Sequence, residues 1–129
     1  LALPLENEGL SSRDFIFVED MARGLMRCAL AGVPAQTYNL ASGTETTIAE
    51  LAAVINKATS NPTLPQLFPA RDWDRSGKRF GSTQKAKSDL GFSAEIDITE
   101  GINILVDWTM KNRELIKTCM ERHAPFMVE

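Results

Sequence analysis

Histidine and cysteine are scarce in this sequence. There is one histidine, His123, and the two cysteines, Cys28 and Cys119, form no Cys-x-x-Cys pair. A structural zinc site needs four ligands, mostly Cys and His, so this supply excludes a zinc-type site and we predict no bound metal. Two cysteines are too few for a disulfide scaffold. Because both lie in apolar, helix-like stretches, we expect two buried free thiols.

An excess of positive charge and a long apolar run are also missing. The net charge is −3, which disfavours nucleic-acid and acidic-membrane partners, so any anion must bind a local patch. No apolar run approaches the roughly 18 residues of a transmembrane helix, and no signal peptide is recognisable, so we predict a cytoplasmic location. The chain starts at Leu1 rather than methionine, a start typical of the middle of a longer sequence.

Cofactor-binding and catalytic motifs are absent as well. No Gly-x-Gly-x-x-Gly loop follows a predicted strand, so the chain has no dinucleotide fingerprint. Gly77-Lys78 resembles the end of a P-loop, but Arg79 stands where Ser or Thr must bind Mg²⁺. Tyr38 is followed at the fourth position by Ser42, so there is no Tyr-x-x-x-Lys pair, and no Gly-x-Ser-x-Gly elbow occurs. We therefore predict no catalytic residue in this chain.

The composition that remains is that of one globular unit. The 129 residues are 43% hydrophobic and 24% charged, which argues against disorder. This length leaves no room for two ordinary domains, so residues 1–129 are predicted to form a single unit.

The first half of the chain predicts two strand–helix units. Residues 15–18 are an apolar run typical of a buried strand, and Asp20 is predicted to cap a helix that ends near Gly32. Residues 37–42 predict a second strand. Residues 47–50, Thr-Ile-Ala-Glu, form a capping box that begins the next helix.

The second half predicts one extended segment and two helices. Residues 64–68 are the extended segment. Ser82 or Thr83 is predicted to cap a short helix that stops at Gly91. Thr99 begins the longest helix, which continues with a kink towards the C-terminus. Short strands that alternate with helices predict an α/β fold.

Two arginines lie beside closely spaced carboxylates at the predicted strand ends, Arg13 and Arg71. The guanidinium group is a fixed fork of donors that matches two phosphate oxygens, so two arginines that converge on a pyrophosphate are a candidate anion site. Asp74 is a candidate acceptor for ribose hydroxyls. Phe15 and Trp73 offer faces for a base or a sugar.

Each of these residues also has a structural interpretation. Arg13 can form an ion pair with Asp14 or Glu19, Arg71 can pair with Asp74 at the surface, and the intervening tryptophan can pack in the core. The cations that follow can form a solvated patch: Arg75, Lys78 and Arg79.

Four motifs in order resemble the C-terminal half of the extended short-chain dehydrogenase/reductases. These are the NAD-dependent nucleotide-sugar epimerases and dehydratases, similar to UDP-glucose 4-epimerase. The motifs are RDFIFVEDMARGL, then YNLASGTETTIAELAAVI, then ARDWD with STQKAKSDLGF, and last ITEGINILVDW. Together they cover nearly the whole chain.

The resemblance implies that this α/β chain is the substrate-binding portion of such an enzyme, with the N-terminal Rossmann half absent. It implies that Arg13 contacts the pyrophosphate of a UDP- or dTDP-hexose and that Phe15 lines the same pocket. It makes Arg71 the second phosphate arginine and Asp74 the ribose acceptor.

The resemblance also places NAD and the catalytic Tyr-x-x-x-Lys pair in the absent half. We therefore expect a fragment, residues 1–129, that binds no NAD by itself and is inactive. The linker RSGKRFG is longer and more basic than is usual in the family, which leaves open whether Arg75 or Arg79 binds phosphate in place of Arg71. Strand edges exposed by the missing half lead us to expect a homo-oligomer.

Two functions from other classes stay open. The first is a stand-alone nucleotide- or anion-binding module without catalysis. The second is a single-stranded RNA-binding protein in which Trp73 and Phe80 stack on bases, although the acidic net charge is unfavourable to it.

Overall fold

Five α-helices account for most of the regular structure in residues 1–73 and 77–124, the part of the chain that the structure describes. The structure is a computed structural model. In chain order the helices are α1 (Val18–Ala31), α2 (Ile48–Ala58), α3 (Gln84–Leu90), α4 (Ile98–Lys111) and α5 (Arg113–His123). They alternate with short strands, which confirms the predicted α/β class.

The strands form one sheet of three and one sheet of two. In the larger sheet β2 (Ser12–Asp14) is central, antiparallel to β3 (Glu45–Thr47) and parallel to β5 (Lys78–Arg79). In the smaller sheet β1 (Pro4–Leu5) is parallel to β4 (Gln66–Leu67). The second sheet confirms the predicted extended segment at residues 64–68, because β4 lies within it.

Residues 15–18 do not form the predicted strand. β2 ends at Asp14, Phe17 occupies the N-cap position of α1, and Val18 is already helical. Phe17 packs closely on α4, since a Cβ added at Gly101 would lie 3.0 Å from its ring. The prediction was wrong because a short apolar run fits a strand or a buried helix start equally well.

Asp20 does not cap α1, because the helix begins three residues earlier than predicted, with Phe17 at the N-cap position. Its side chain is completely buried and accepts hydrogen bonds from the backbone N–H groups of Glu95 and Ile96, each at 3.0 Å, and from Arg23. Asp20 therefore fastens α1 to the segment that precedes α4. The predicted end of the helix at Gly32 is confirmed.

Residues 37–42 are not a strand either, and the strand of this region is β3. Tyr38 and Leu40 alternate towards the core and pack on the cluster that contains Phe92. Within the described residues, the backbone N–H and C=O groups of residues 38–41 form no hydrogen bond. A strand needs a paired neighbour, and here none lies beside this segment.

From α2 onward, several helix ends follow the local sequence closely. The capping box at Thr47 and Glu50 is confirmed in both of its hydrogen bonds. α3 ends as predicted at Gly91, whose φ is +61°. α4 begins one residue earlier than predicted because Asp97 caps it, accepting from the Glu100 N–H at 2.8 Å. The predicted kink is a break, and α5 starts as a separate helix.

Few apolar side chains are buried. The fully covered ones in the described residues are Leu5, Ala52, Ala86, Leu90 and Phe92. Both cysteines are free, but only Cys28 is partly buried and Cys119 is exposed, so the expectation of two buried thiols was wrong for Cys119. Cys119 lies on α5, which packs against α4. No helix of the described part is long and apolar enough to cross a membrane.

Candidate anion-binding site

Strand register places Arg13 and Arg79 side by side. β2 and β5 are parallel, and Arg13 is the register partner of Arg79, while on the other side of β2 it faces Thr46. Register partners on paired strands project from the same face of the sheet, and adjacent strands lie about 4.8 Å apart. The three residues therefore form one row, which we call the arginine row: Thr46, Arg13 and Arg79.

The opposite face of the same sheet carries a compensated charge. Glu45 accepts a hydrogen bond from the Ser12 hydroxyl at 2.6 Å and lies 3.1 Å from the Lys78 ammonium group. The Ser12 hydrogen bond first, and then Lys78, hold the pKa of Glu45 below its usual value of 4.5. Glu45 therefore stays ionised and ties all three strands together on this face.

Asp14 organises the turn that leads into β3. Its carboxylate accepts from the Ser42 N–H at 2.7 Å, the Ser42 hydroxyl at 2.6 Å and the Gly43 N–H at 2.9 Å. These contacts occupy Asp14, in contrast to the ion pair with Arg13 that the sequence allowed. The Arg13 guanidinium instead donates through Nη1 to the carbonyls of Ser12 at 2.7 Å and Gly77 at 3.0 Å. Two backbone carbonyls thus orient Arg13.

Arg71 is directed elsewhere. Its Nη2 lies 2.9 Å from Glu6 Oε1, and its guanidinium carbon lies 5.4 Å from the centre of the Trp73 ring. Trp73 is 74% exposed, so its assignment to the core was wrong. Asp74 and Arg75 lie outside the described residues, so their predicted roles, and a pair between Arg71 and Asp74, stay predictions.

Phe15 lies in an apolar groove rather than in a polar pocket. The groove has a volume of about 270 Å³ and is lined by Phe15, Phe17, Val18, Ile98 and Leu105 among others, with Asp97 as its one charged lining residue in the described part of the chain. Of the predicted arginines that the structure describes, Arg13, Arg71 and Arg79, none lines the groove. The structure thus brings Arg13 and Arg79 together but does not bring Phe15 to them.

Several important residues were missed by sequence reasoning. Pairing of β2 with β3, across more than 30 residues of sequence, determines the positions of Thr46, Glu45 and Ser12. Local sequence spacing cannot reveal such a pairing. Glu6 forms an ion pair with Arg71, which is 65 residues away in sequence. Asp14 is the one residue whose role the sequence indicates, because a carboxylate next to an arginine needs hydrogen-bond donors of its own.

The described residues do not fit NAD or a metal. Dinucleotides bind where a glycine-rich turn precedes a helix. Here Phe17 precedes α1, while the side chains of Thr47 and Asp97 already accept from N–H groups at the starts of α2 and α4. No group of three or more His, Cys, Asp or Glu side chains able to hold a metal occurs among the described residues.

The sequence matches no protein-family model, but it is similar to curated enzymes. It is 33% identical over 104 residues to a UDP-glucose 4-epimerase of Mycolicibacterium smegmatis, which covers 78% of this chain and 32% of the relative. It is 31% identical over 116 residues to a dTDP-glucose 4,6-dehydratase of an Actinoplanes species, which covers 88% of this chain and 35% of the relative. The chain therefore spans about a third of these relatives.

A solved structure is similar over almost the whole chain. The Bordetella bronchiseptica enzyme WbmF, in complex with NAD⁺ and UDP, superposes with a TM-score of 0.84 at 46% identity, covering 98% of this chain and 37% of WbmF. Sequence and fold thus agree with the four motifs. The predicted resemblance to the C-terminal portion of the extended short-chain dehydrogenase/reductases, the family of NAD-dependent nucleotide-sugar epimerases and dehydratases, is confirmed by these similarities.

Proposed function

We propose that this chain is the nucleotide-sugar-binding portion of an epimerase or dehydratase and that it positions the substrate diphosphate. The observation that carries the proposal is the arginine row, in a chain similar to an enzyme whose structure contains UDP. Arg13 is one phosphate ligand and either Arg71 or Arg79 is the second. Asp74 accepts from the ribose, and Phe15 lines the sugar side.

The chemistry of the arginine row suits a diphosphate. Charge-assisted hydrogen bonds from guanidinium groups to phosphate are among the stronger contacts in proteins, at roughly 1.5–3 kcal/mol each. Arg13 is oriented by backbone carbonyls, so less side-chain freedom is lost on binding. In the parent enzyme, NAD would supply hydride transfer from the other portion. This chain's role is to bind and orient the substrate.

A titration tests the proposal. UDP, a UDP-hexose and a single-stranded oligonucleotide are added to the chain and to its Arg13→Ala variant, with Arg113→Ala on α5 as the charge-matched control. We expect UDP binding that Arg13→Ala weakens and Arg113→Ala leaves unchanged. A UDP affinity that is the same in all three proteins would overturn the proposal. Oligonucleotide binding with a steep salt dependence and no dependence on Arg13 would support RNA binding instead.

The chain by itself is proposed to be inactive and not to bind NAD, because the described residues offer no dinucleotide turn. The purified chain with a UDP- or dTDP-hexose and NAD should yield no epimerised or dehydrated sugar. Turnover by this chain would contradict the proposal. A stand-alone nucleotide-binding module is the alternative, and it predicts UDP binding without any gain in affinity from the sugar. The cytoplasmic location stays a prediction.

The chain is also proposed to self-associate through the outer side of α1. Val18, Leu25, Met26 and Leu30 lie on that side and are 70%, 58%, 65% and 81% exposed. The total accessible surface is 9687 Å², against roughly 6,800 Å² for a compact monomer of this mass. The exposed apolar side chains of α1 favour burial against a second copy, or against the NAD-binding portion of the family's fold.

A further inference from the structure

We propose that a pocket beside α3 binds a small aromatic anion, in which Lys87 pairs with the negative charge and Phe80 stacks on the ring. The pocket has a volume of about 460 Å³, and small-molecule sites usually have volumes of roughly 300–1,000 Å³. Its lining consists of Gly43, residues 80–84 and Lys87. None of the described arginines lines it, so the pocket is separate from the arginine row.

Lys87 gives the pocket its charge. It is the one charged lining residue in the described part of the chain, it is exposed, and no described carboxylate lies within ion-pair distance of its ammonium group. Asp89 is nearby in sequence, but it accepts from the Ser88 hydroxyl at 2.7 Å and does not line the pocket. Lys85, the preceding cation of α3, donates to Gln36 at 2.6 Å. An ammonium group in a lining without carboxylates favours an anion.

The polar side chains beside Lys87 are not used in the fold. Thr83 and Gln84 precede Lys87 by four and three residues, the spacing that places side chains on one side of a helix. Across residues 1–73 and 77–124, the Thr83 hydroxyl, the Gln84 side-chain amide and the Lys87 ammonium group form no hydrogen bond with the protein. All three line the pocket, so a ligand is free to use them.

The backbone walls of the pocket, in contrast, are held by hydrogen bonds. The Gly43 N–H donates to Asp14 at 2.9 Å, and the Ser82 carbonyl accepts from the Asn39 side chain at 3.1 Å. Gly43 has a φ of +80°, and a Cβ there would lie 3.2 Å from Thr83 Oγ1, so a side chain at this position would be strained and would crowd the wall. A site that is formed before its ligand arrives loses less conformational freedom on binding.

Phe80 provides the apolar surface of the pocket. It directly follows β5, it is 57% exposed, and it lines the pocket together with Lys87. An aromatic face favours contact with another ring. A cation and an aromatic face in one pocket therefore fit a ligand with one anionic group and one planar ring, which is the chemistry of an aryl phosphate or an aryl carboxylate.

Titrations followed by the NMR shifts of backbone amides test the proposal. Phenyl phosphate, benzoate, inorganic phosphate and benzyl alcohol are added separately to the chain. We expect saturable shifts at Gly43 and residues 80–87 with phenyl phosphate or benzoate, and the tighter of these two probes identifies the anionic group. Inorganic phosphate and benzyl alcohol should bind more weakly, because the first lacks the ring and the second lacks the charge.

Variants identify the two contacts. Lys87→Gln should weaken binding of the tighter probe by about 10-fold, because a charge-assisted hydrogen bond is lost, and Phe80→Leu should weaken it by about 2- to 10-fold. Lys87→Arg keeps the charge and should bind nearly as well as the wild type. Lys111→Gln, which changes an exposed lysine of α4, is the matched control and should change nothing. Arg13→Ala should also leave this binding unchanged.

Three results would overturn the proposal: no saturable shift with either aromatic anion, equal affinities of Lys87→Gln and the wild type, or shifts confined to β2 and β5 that Arg13→Ala removes. Inorganic phosphate that binds as tightly as phenyl phosphate would overturn the aromatic part. Melting temperatures identify any variant that does not fold, and Lys87→Arg and Phe80→Leu then decide. Failure of UDP to bind would count against the proposed function alone, because this pocket contains none of the residues assigned to it.

Discussion

Lys78 and Arg79 are adjacent in sequence but project from opposite faces of the sheet. The pleat of β5 sends Lys78 to the face where Glu45 neutralises it and Arg79 to the face that carries Arg13. Three strands contribute to each face, and neither face has more than one residue from β5. The site is therefore defined by the alternation of single residues along β5.

The charge network of Glu45 predicts a pH-dependent stability. The pKa of Glu45 is lowered from 4.5 by the Ser12 hydrogen bond and by Lys78. A group whose pKa is lower in the folded state stabilises the protein above its unfolded pKa, and that stabilisation is lost as the pH falls through the folded value. We expect Glu45→Gln to lower the melting temperature near neutral pH, and the difference from the wild type to shrink as the pH falls below about 4.5.

The matched control for this series is Glu114→Gln on α5, which removes a carboxylate far from the sheet along the chain. Its melting temperature should follow that of the wild type across the same pH range. A Glu45→Gln deficit that is as large in acid as at neutral pH would contradict the network.

Gly9 and Gly91 predict two different costs for the same change. Both have positive φ, +75° and +61°, so an alanine at either position meets the left-handed penalty of about 1–2 kcal/mol. A Cβ at Gly9 would also lie 2.9 Å from Ala49 Cβ and 3.0 Å from its backbone nitrogen, whereas nothing lies within 4 Å of a Cβ at Gly91. Urea unfolding should show a larger loss for Gly9→Ala than for Gly91→Ala, and equal losses would contradict the close approach.

At the scale of elements, the starts of two helices are determined by local sequence, whereas the strands depend on distant partners. α2 begins at its own capping box and α4 at its own Asp97, so each start is determined within four residues. The strands contain two or three residues each and exist only as pairs. Residues 37–42 have strand-like sequence and side-chain alternation, yet they lack a neighbour. This contrast explains why helix ends were predicted better than strands.

The capping box of α2 gives a prediction at this scale. Thr47 Oγ1 accepts from the Glu50 N–H at 3.1 Å, and Glu50 Oε2 accepts from the Thr47 N–H at 2.7 Å. Thr47→Ala should cost about 1 kcal/mol of unfolding free energy in urea, because the first turn of the helix loses a hydrogen-bond acceptor. Thr47→Ser retains the hydroxyl and should cost clearly less, and equal losses would mean that the hydroxyl is not the cause.

At the scale of the whole molecule, the amount of exposed apolar surface is the dominant property. The proposed association through α1 predicts that Leu30→Lys, which places a charge on a residue that is 81% exposed, shifts the chain towards monomer in sedimentation velocity with unchanged helical circular dichroism. Leu115→Lys on α5 is the matched control, and its residue is 54% exposed. A wild-type chain that sediments as a monomer at high concentration would contradict the proposal.

How much was predictable depends on how far apart the interacting residues are. The α/β class, the end of α1 at Gly32, the capping box at Thr47 and the stop at Gly91 follow from local physics and were predicted. Other features depend on contacts across 60 residues or more: the β1–β4 and β2–β5 pairings, the buried role of Asp20 and the partner of Arg71. The pairing of β2 with β3 is nearer in sequence. Arg79 was a candidate from its charge alone, but its position beside Arg13 required the register.

The two-residue length of β5 has a consequence for sequence change over evolutionary time. Insertions and deletions in the sequence between β4 and Gly77 leave the register of β5 with β2 unchanged, so they are compatible with the arginine row. A single-residue shift in how β5 pairs with β2 has a different effect, since it exchanges the faces of Lys78 and Arg79. Natural variants should therefore tolerate length changes before Gly77 far more readily than any change in the spacing from Gly77 to Arg79.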